Sequence, residues 1–290
     1  MNLIKCLARA LAPAKTVSAC AILAVAATAY AQTNPVIIRV QADKIAAKMP
    51  PTFYGLMTEE INYAYEGGLY GELIRNRAFK ADAIQQPIKP ENYDPAKYYP
   101  LKFPAGIGPK FWSAIGGAKI ILDTNTPLND ALNVSLKVDV SSAAPETPAG
   151  VANGGYWGIP VKPNTTYHAS FFAKSKHFNG ALTVSLESAD GKTTFAQAVI
   201  DGVNSSWNKF EAVLKTGGDI TPSKDNRLVI SATKPGTFFN HHGTVWLQEV
   251  SLFPPTYKDR ANGNRVDLSE ILAGASGVGC LTLQSSHGEN

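Results

Sequence analysis

The sequence predicts a mainly β protein whose largest part is an antiparallel β-sandwich, and three observations support this fold class. Between residues 110 and 253 the chain is a series of short runs that alternate apolar and polar residues, as residues 182–186 (LTVSL) do. Turn-forming pairs such as Asp190-Gly191 and Pro235-Gly236 separate these runs. The charged fraction of 17% is low, and 24 glycines and 19 prolines suit a loop-rich β chain better than a helical bundle. Many short strands at this spacing are typical of a β-sandwich.

The first 31 residues have the composition of a cleaved secretory signal peptide. A segment with three Lys or Arg residues is followed by an apolar segment, residues 16–31, that ends in a small-residue cleavage site at residues 29–31. The apolar segment is too short, and its side chains too small, for a membrane span. A lipoprotein signal at Cys20 is the alternative interpretation. Cleavage predicts a secreted or periplasmic protein with no membrane attachment.

Removing this segment changes the charge and the cysteine content. The formal net charge of +4 falls to +1, because the segment holds three basic residues and no acidic one. A nearly neutral chain gives no electrostatic basis for binding nucleic acid. Of the three cysteines only Cys280 remains, which excludes an intramolecular disulfide and a cysteine-built metal site.

Residues 32–80 are expected to form two strands and a helix. The β-branched run at residues 36–42 and the apolar run at residues 52–61 predict strands. After a loop ending in two glycines, residues 69–79 space their apolar side chains as a helix does and carry two arginines near the end. Strand, loop and helix in this order make half of a βαβ unit.

The segments on either side of the sandwich differ in composition. Residues 81–109 contain six prolines and are interpreted as a connector. In residues 254–290 helical signals return, with Asp267 as an expected N-cap residue. Residues 275–290 are rich in glycine and serine, have no hydrophobic period, and are expected to be unstructured.

The adjacent carboxylates Glu59 and Glu60 lie at the end of a predicted strand. Neighbouring strand residues point to opposite faces, so the two cannot act together on one bond. A single glutamate at the carboxyl end of a strand is a common position for a ligand-binding group. The alternative is that both are solvated or paired with Arg75 or Arg77.

Aromatic residues are the other candidate ligand contacts. Aromatic rings on a sheet face stack on the apolar faces of sugars, but buried tryptophan is also ordinary in sandwich cores. Trp157, beside Tyr156 and after two glycines, is expected to be the most exposed. The adjacent pair His241-His242 cannot chelate one metal together and is expected in a surface loop. The full set is Trp112, Tyr156, Trp157, Trp207 and Trp246.

Three stretches resemble glycoside hydrolase family 51, the α-L-arabinofuranosidases. Residues 53–79 (FYGLMTEEINYAYEGGLYGELIRNRAF) are similar to the N-terminal signature of the family in one ungapped block. Residues 154–174 resemble the carbohydrate-binding modules of families 4 and 9, which are inserted in many members. Residues 254–272 resemble the return to the catalytic barrel.

This resemblance implies a jelly-roll sandwich at residues 110–253, similar to a carbohydrate-binding module, and an incomplete piece of a (β/α)8 barrel. Residues 55–79 would be the first barrel strand and helix. Members are retaining hydrolases that release terminal α-L-arabinofuranosyl groups from arabinan and arabinoxylan, so plant cell-wall polysaccharide is the implied partner. Glu59 and Asn62 would contact the bound arabinose, and both catalytic glutamates would lie on later barrel strands.

The end of the sequence departs from the family. Residues 275–290 resemble nothing in the barrel that follows in family members, so we expect a truncated chain without catalytic residues or activity of its own. Two alternatives remain: a glycan-binding module in which Trp157 and Tyr156 stack on sugar, and a structural spacer. No cofactor is expected beyond a structural calcium, for which Glu249 on the last sandwich strand is the candidate ligand.

Overall fold

The computed structural model describes residues 38–41, 43–45, 47–48, 54–59, 61, 63–83, 108–178, 180–234, 243–274 and 278–284, with side chains outside 54–59 and 278–284. The chain falls into two compact units, Met1–Pro50 and Pro51–Asn290. In the first unit, the described residues 38–41 form no strand, so the strand predicted over residues 36–42 is wrong at these positions.

Ten strands of the second unit form two antiparallel sheets. The strands are β1 (Tyr54–Glu59), outside the sandwich, then β2 (Trp112–Ile115), β3 (Lys119–Asp123), β4 (Ser135–Asp139), β5 (Ala149–Asn153), β6 (Thr166–Lys176), β7 (Leu182–Ser188), β8 (Thr194–Ile200), β9 (Asn208–Lys215), β10 (Asn226–Ala232) and β11 (Thr244–Phe253). The strand order is β2-β5-β10-β7-β8 in one sheet of the sandwich and β3-β4-β11-β6-β9 in the other. The mainly β, antiparallel sandwich that the sequence predicts is thereby confirmed.

The core between the sheets follows from the alternation in the sequence. Leu182, Val184 and Leu186 of β7 are buried, and Thr183 between them is only half-buried. In β11 the residues that belong to the hydrophobic core cluster are Val245 and Leu247, then Val250 and Leu252. The residues that point into the core have odd numbers in the first part of the strand and even numbers in the second part. The change occurs because a β-bulge shifts the register between Gln248 and Ser251. An extra residue in a strand reverses which face its later side chains occupy.

The remaining piece is a parallel pair of strands with one helix. β12 (Val278–Gln284) pairs in parallel with β1, and helix α1 (Val266–Gly274) directly precedes it. A strand in residues 275–290 corrects the expectation of an unstructured tail. Parallel neighbours need a crossover connection, usually a helix. β1, α1 and β12 therefore have the connectivity of a βαβ unit, and the whole sandwich lies within its β1-to-α1 connection.

The helix predicted over residues 69–79 is wrong. The structure has one kinked helical turn, Tyr65–Leu69, with non-helical backbone at Gly67 and Gly68, followed by turns. Asn76 and Phe79 both have positive φ values, 55° and 59°, which a right-handed helix excludes. The apolar spacing of this stretch instead serves packing against the sandwich, where Phe79 is fully buried.

The chain segments that enter and leave the sandwich lie side by side. The amide of Gly71 donates to the carbonyl of Gly263 at 3.0 Å, and the amide of Arg265 donates to the carbonyl of Leu69 at 2.9 Å. The amide of Leu73 donates to the carbonyl of Leu252 at 3.0 Å. Residues 69–73 are thus held against both the last sandwich strand and the start of α1.

The carboxylate of Glu72 lies at this junction and is 1% exposed. Its Oε1 accepts hydrogen bonds from the amides of Ile74 and Leu252, each at 2.9 Å, and its Oε2 accepts one from the hydroxyl of Ser251. Arg77 lies 3.6 Å from the same Oε2. We call this arrangement the Glu72 clamp. Burial raises the pKa of Glu72 above its ordinary value, and the four donors oppose that rise.

Removing the clamp should destabilise the fold. We expect Glu72→Ala to lower the free energy of unfolding by about 3 kcal/mol, because two amides, a hydroxyl and a guanidinium lose their acceptor. Urea unfolding followed by fluorescence measures this. Glu146→Ala, at an exposed carboxylate, is the matched control and should leave the midpoint unchanged. An equal effect of the two substitutions would contradict the role of the clamp.

The raised pKa of Glu72 also predicts a pH dependence. An acid that binds its proton more tightly in the folded state stabilises that state below the unfolded pKa, about 4.3. This stabilisation is lost as the pH rises through the folded pKa. The melting temperature of the wild-type chain should therefore fall relative to that of Glu72→Gln as the pH rises from about 4. A constant difference across this range would show that the four donors cancel the effect of burial.

Candidate functional site

A cavity of about 550 Å³ lies beside the junction. Three segments surround it: residues 67–73, the sandwich loop 156–167 with Lys224, and residues 254–270, which include the first residues of α1. Ligand-binding clefts in proteins have volumes of about 300 to 1,000 Å³, so the size fits a small ligand. The cavity exists because the two ends of the sandwich are held next to its 156–167 loop.

Aromatic side chains form part of the cavity wall. Trp157 is 64% exposed, as the sequence predicts, although it lines the cavity. Its ring packs edge-to-face on the ring of Tyr63, with 5.7 Å between the ring centres. The ring of Tyr63 packs in the same way on that of Tyr156, with 5.4 Å between the ring centres. Tyr70 and Tyr167 line the same cavity. The arrangement leaves a large part of the Trp157 indole surface free.

Arg75 holds this aromatic group in place. Its guanidinium lies 3.6 Å from the ring centre of Phe111 and 4.5 Å from that of Tyr63, and it donates to the Tyr63 hydroxyl. Tyr156 donates to Glu66 at 3.3 Å. Burial, with the charge of Glu66, raises the pKa of Tyr156 above its ordinary value, so its hydroxyl remains a donor at neutral pH.

The polar part of the wall mixes both charges. Arg265 and Asp267 form an ion pair at 2.5 Å, and this bond lowers the pKa of Asp267. Because α1 begins at Val266, Asp267 lies in its first turn rather than at the expected N-cap position. Lys162 and Lys224 contribute two exposed ammonium groups, and Glu270 contributes a carboxylate. Such a wall offers both donors and acceptors.

The residues that the sequence singled out are only partly brought together. Tyr156 and Trp157 share the cavity wall. Glu59 is the last residue of β1, where its backbone pairs with Gln284, and its side chain is outside the described part, as are Glu60 and Asn62. Trp112 and Trp246 are each 7% exposed and belong to the folded interior, while Trp207 is half-buried. His241 and His242 lie outside the described residues.

Tyr63 and Arg75 are functional candidates that sequence reasoning missed. Both lie within the stretch that resembles the family signature. Nothing in that stretch shows that Tyr63 meets Trp157, about ninety positions further along the chain, or that Arg75 packs on Tyr63.

The proposed calcium ligand, Glu249, faces a cation instead. It lies in the bulge of β11 with a φ of 49°, and its carboxylate is 3.4 Å from the guanidinium of Arg77. Among the residues whose side chains are described, no three His, Cys, Asp or Glu groups are close enough to hold a metal ion. A calcium site at Glu249 stays a prediction.

Comparison with known proteins shows the relationship directly. No family model matches the chain. The probable α-L-arabinofuranosidase A of Aspergillus flavus is 30% identical over 227 residues, which are 78% of this chain and 32% of that protein. The chain is a relative of the family 51 α-L-arabinofuranosidases. Arabidopsis thaliana α-L-arabinofuranosidase 2 is 29% identical over 82% of this chain and 32% of its own length.

A solved structure agrees with the sequence relationship. An arabinose-bound family 51 α-L-arabinofuranosidase superimposes with a TM-score of 0.61 and 31% identity, covering 79% of this chain and 33% of that one. The chain thus spans about a third of the length of the relatives it matches. No helix among the described residues is long and apolar enough to cross a membrane.

The cavity geometry depends on a glycine in its wall. Gly158 has a φ of +87°, and a Cβ there would lie 2.0 Å from the carbonyl oxygen of Lys224. Gly158→Ala should therefore lower the free energy of unfolding by about 2 kcal/mol or more. Gly154→Ala is the matched control, because a Cβ there meets nothing within 4 Å. Thermal melts of both variants test this, and a Gly158→Ala protein as stable as Gly154→Ala would contradict it.

Proposed function

We propose that the chain is part of a retaining α-L-arabinofuranosidase that releases terminal non-reducing α-L-arabinofuranosyl groups from arabinan or arabinoxylan. The observation that carries this proposal is the β1–α1–β12 unit with the sandwich in its first connection, in a chain related to that family. Successive parallel strands joined through a helix are the repeating unit of a (β/α)8 barrel.

The position of Glu59 supports its proposed role in arabinose binding. Glu59 ends β1, and active sites of (β/α)8 barrels are built at the carboxyl ends of the strands. We propose that Glu59 and Asn62 form one wall of the arabinose site. Neither is proposed as a catalytic group.

The chemistry needs groups that this unit does not supply. Retaining hydrolysis uses two carboxyl groups about 5 to 5.5 Å apart on either side of the scissile bond, one as nucleophile and one as acid and base. In an extended strand, neighbours such as Glu59 and Glu60 would point to opposite sides, so they are not proposed as this pair. We propose that the catalytic glutamates come from further barrel strands and that this chain alone is inactive.

The proposed setting is outside the cytoplasm, with plant cell-wall polysaccharide as substrate. The basic and apolar residues 1–31 support secretion or a periplasmic location. The near-neutral remainder of the chain is consistent with an uncharged polysaccharide rather than a nucleic acid.

An activity assay tests the proposal. The purified chain should release no aryl alcohol from an aryl α-L-arabinofuranoside above the buffer rate, because the two catalytic carboxyl groups are proposed to lie on further barrel strands. A relative such as the Aspergillus kawachii α-L-arabinofuranosidase A, assayed in parallel, is the positive control.

Turnover by the chain that Glu59→Gln abolishes would overturn the assignment of Glu59 as a binding group only. Turnover that survives this substitution would place the catalytic pair elsewhere in the chain.

A further inference from the structure

The connectivity fixes where the sandwich stands relative to the barrel piece. The connection from β1 to α1 leaves the carboxyl end of β1 at Glu59 and returns at Val266. Because β12 runs parallel to β1, α1 must run in the opposite direction, with its first residues at the edge where β1 ends. That edge is the one at which (β/α)8 barrels bind substrate. The sandwich is therefore inserted at the substrate-binding edge.

We propose that the cavity lined by Trp157 binds the neutral sugar chain that carries the arabinofuranosyl group, as a site separate from the arabinose site. Residues of the connection itself link the two: Tyr63 follows β1 by four positions and contacts Trp157 at 5.7 Å. Residues 265–270, at the start of α1, line the same cavity. Residues near both ends of the β1-to-α1 connection thus line or contact the cavity.

The aromatic wall fits the apolar face of a sugar ring. Trp157 leaves 64% of its surface exposed, and it lines a cavity. Exposed aromatic rings that are held rigidly are the usual strong contacts of binding sites. Its ring is held by Tyr63, and Tyr63 is in turn held by Arg75, so the stacking surface is formed before any ligand arrives. Preformed surfaces lose less entropy on binding.

The charges of the wall favour a neutral ligand. Lys162, Lys224 and Arg265 are matched by Glu72, Asp267 and Glu270. Arg265 is neutralised by Asp267, and Glu72 is buried in its clamp. The two lysines and Glu270 remain as donors and acceptors for sugar hydroxyls, and they leave a net charge of only +1, whereas a chain of carboxylated sugars would require several positive charges. The wall therefore suits an uncharged sugar chain, and the proposed function makes its units pentoses.

The inference rests on the proposed function only where it identifies the bound sugar chain as part of an arabinofuranosidase substrate. The cavity and its lining are independent of hydrolysis. Oligosaccharide binding tests the cavity site and turnover tests the proposed function. Because the two are measured separately, a negative result in one measurement does not reject the other proposal.

Isothermal titration of the 290-residue chain with xylohexaose and with arabinohexaose tests the proposal. Trp157→Ala should weaken binding at least about tenfold, the effect of truncating a central aromatic contact. Lys162→Ala should weaken it several-fold. Matched controls are Trp207→Ala, a half-buried tryptophan outside the cavity, and Lys176→Ala, at the far end of β6, both of which should bind as the wild type does.

Three results would overturn the proposal. The first is no binding of either oligosaccharide by a chain that still melts cooperatively. The second is equal affinity of the wild-type and Trp157→Ala proteins, which would place any binding elsewhere. The third is tighter binding of hexagalacturonate than of the neutral chains.

Discussion

The Glu72 carboxylate is the point at which the two parts of the second unit meet. It receives donors from its own segment, at Ile74, and from the last sandwich strand, at Ser251 and Leu252. A buried carboxylate is tolerated only when its oxygens are fully hydrogen-bonded, so the incoming segment must lie where those donors are. That position sets the spacing between residues 67–73 and the sandwich, and with it the width of the Trp157 cavity. The shape of the Trp157 cavity therefore depends on the buried carboxylate of Glu72.

The bulge in β11 makes this contact available. Up to Leu247 the odd-numbered residues of the strand face the core, and from Val250 the even-numbered ones do. Ser251 is consequently turned away from the core and toward Glu72, and Glu249 reaches Arg77. A regular strand would place Ser251 inward and an apolar side chain at the junction. The irregularity is therefore what joins the sandwich to the segment that enters it.

The sequence predicted those features whose signals are local. The alternation in residues 182–186 and the apolar face of residues 266–274 each identify an element without knowledge of its neighbours. The stretch 69–79 has helical spacing, yet it donates to Leu252, almost 180 positions away, and tertiary contacts override the local preference. The exposure of Trp157 followed from its glycine neighbours. Its contact with Tyr63, and that of Tyr63 with Arg75, did not, because stacking between distant segments leaves no periodic pattern.

The adjacency of the two ends of the sandwich bears on how this chain arose. Tyr70 and Asn264 form an isolated antiparallel bridge, so the chain leaves and returns at nearly the same place. A domain with neighbouring termini can be placed in a loop without moving the strands and helices around it. The β1-to-α1 connection can therefore acquire a complete sandwich in one genetic step while β1 and α1 keep their places. An ordinary loop becomes a second domain in this way.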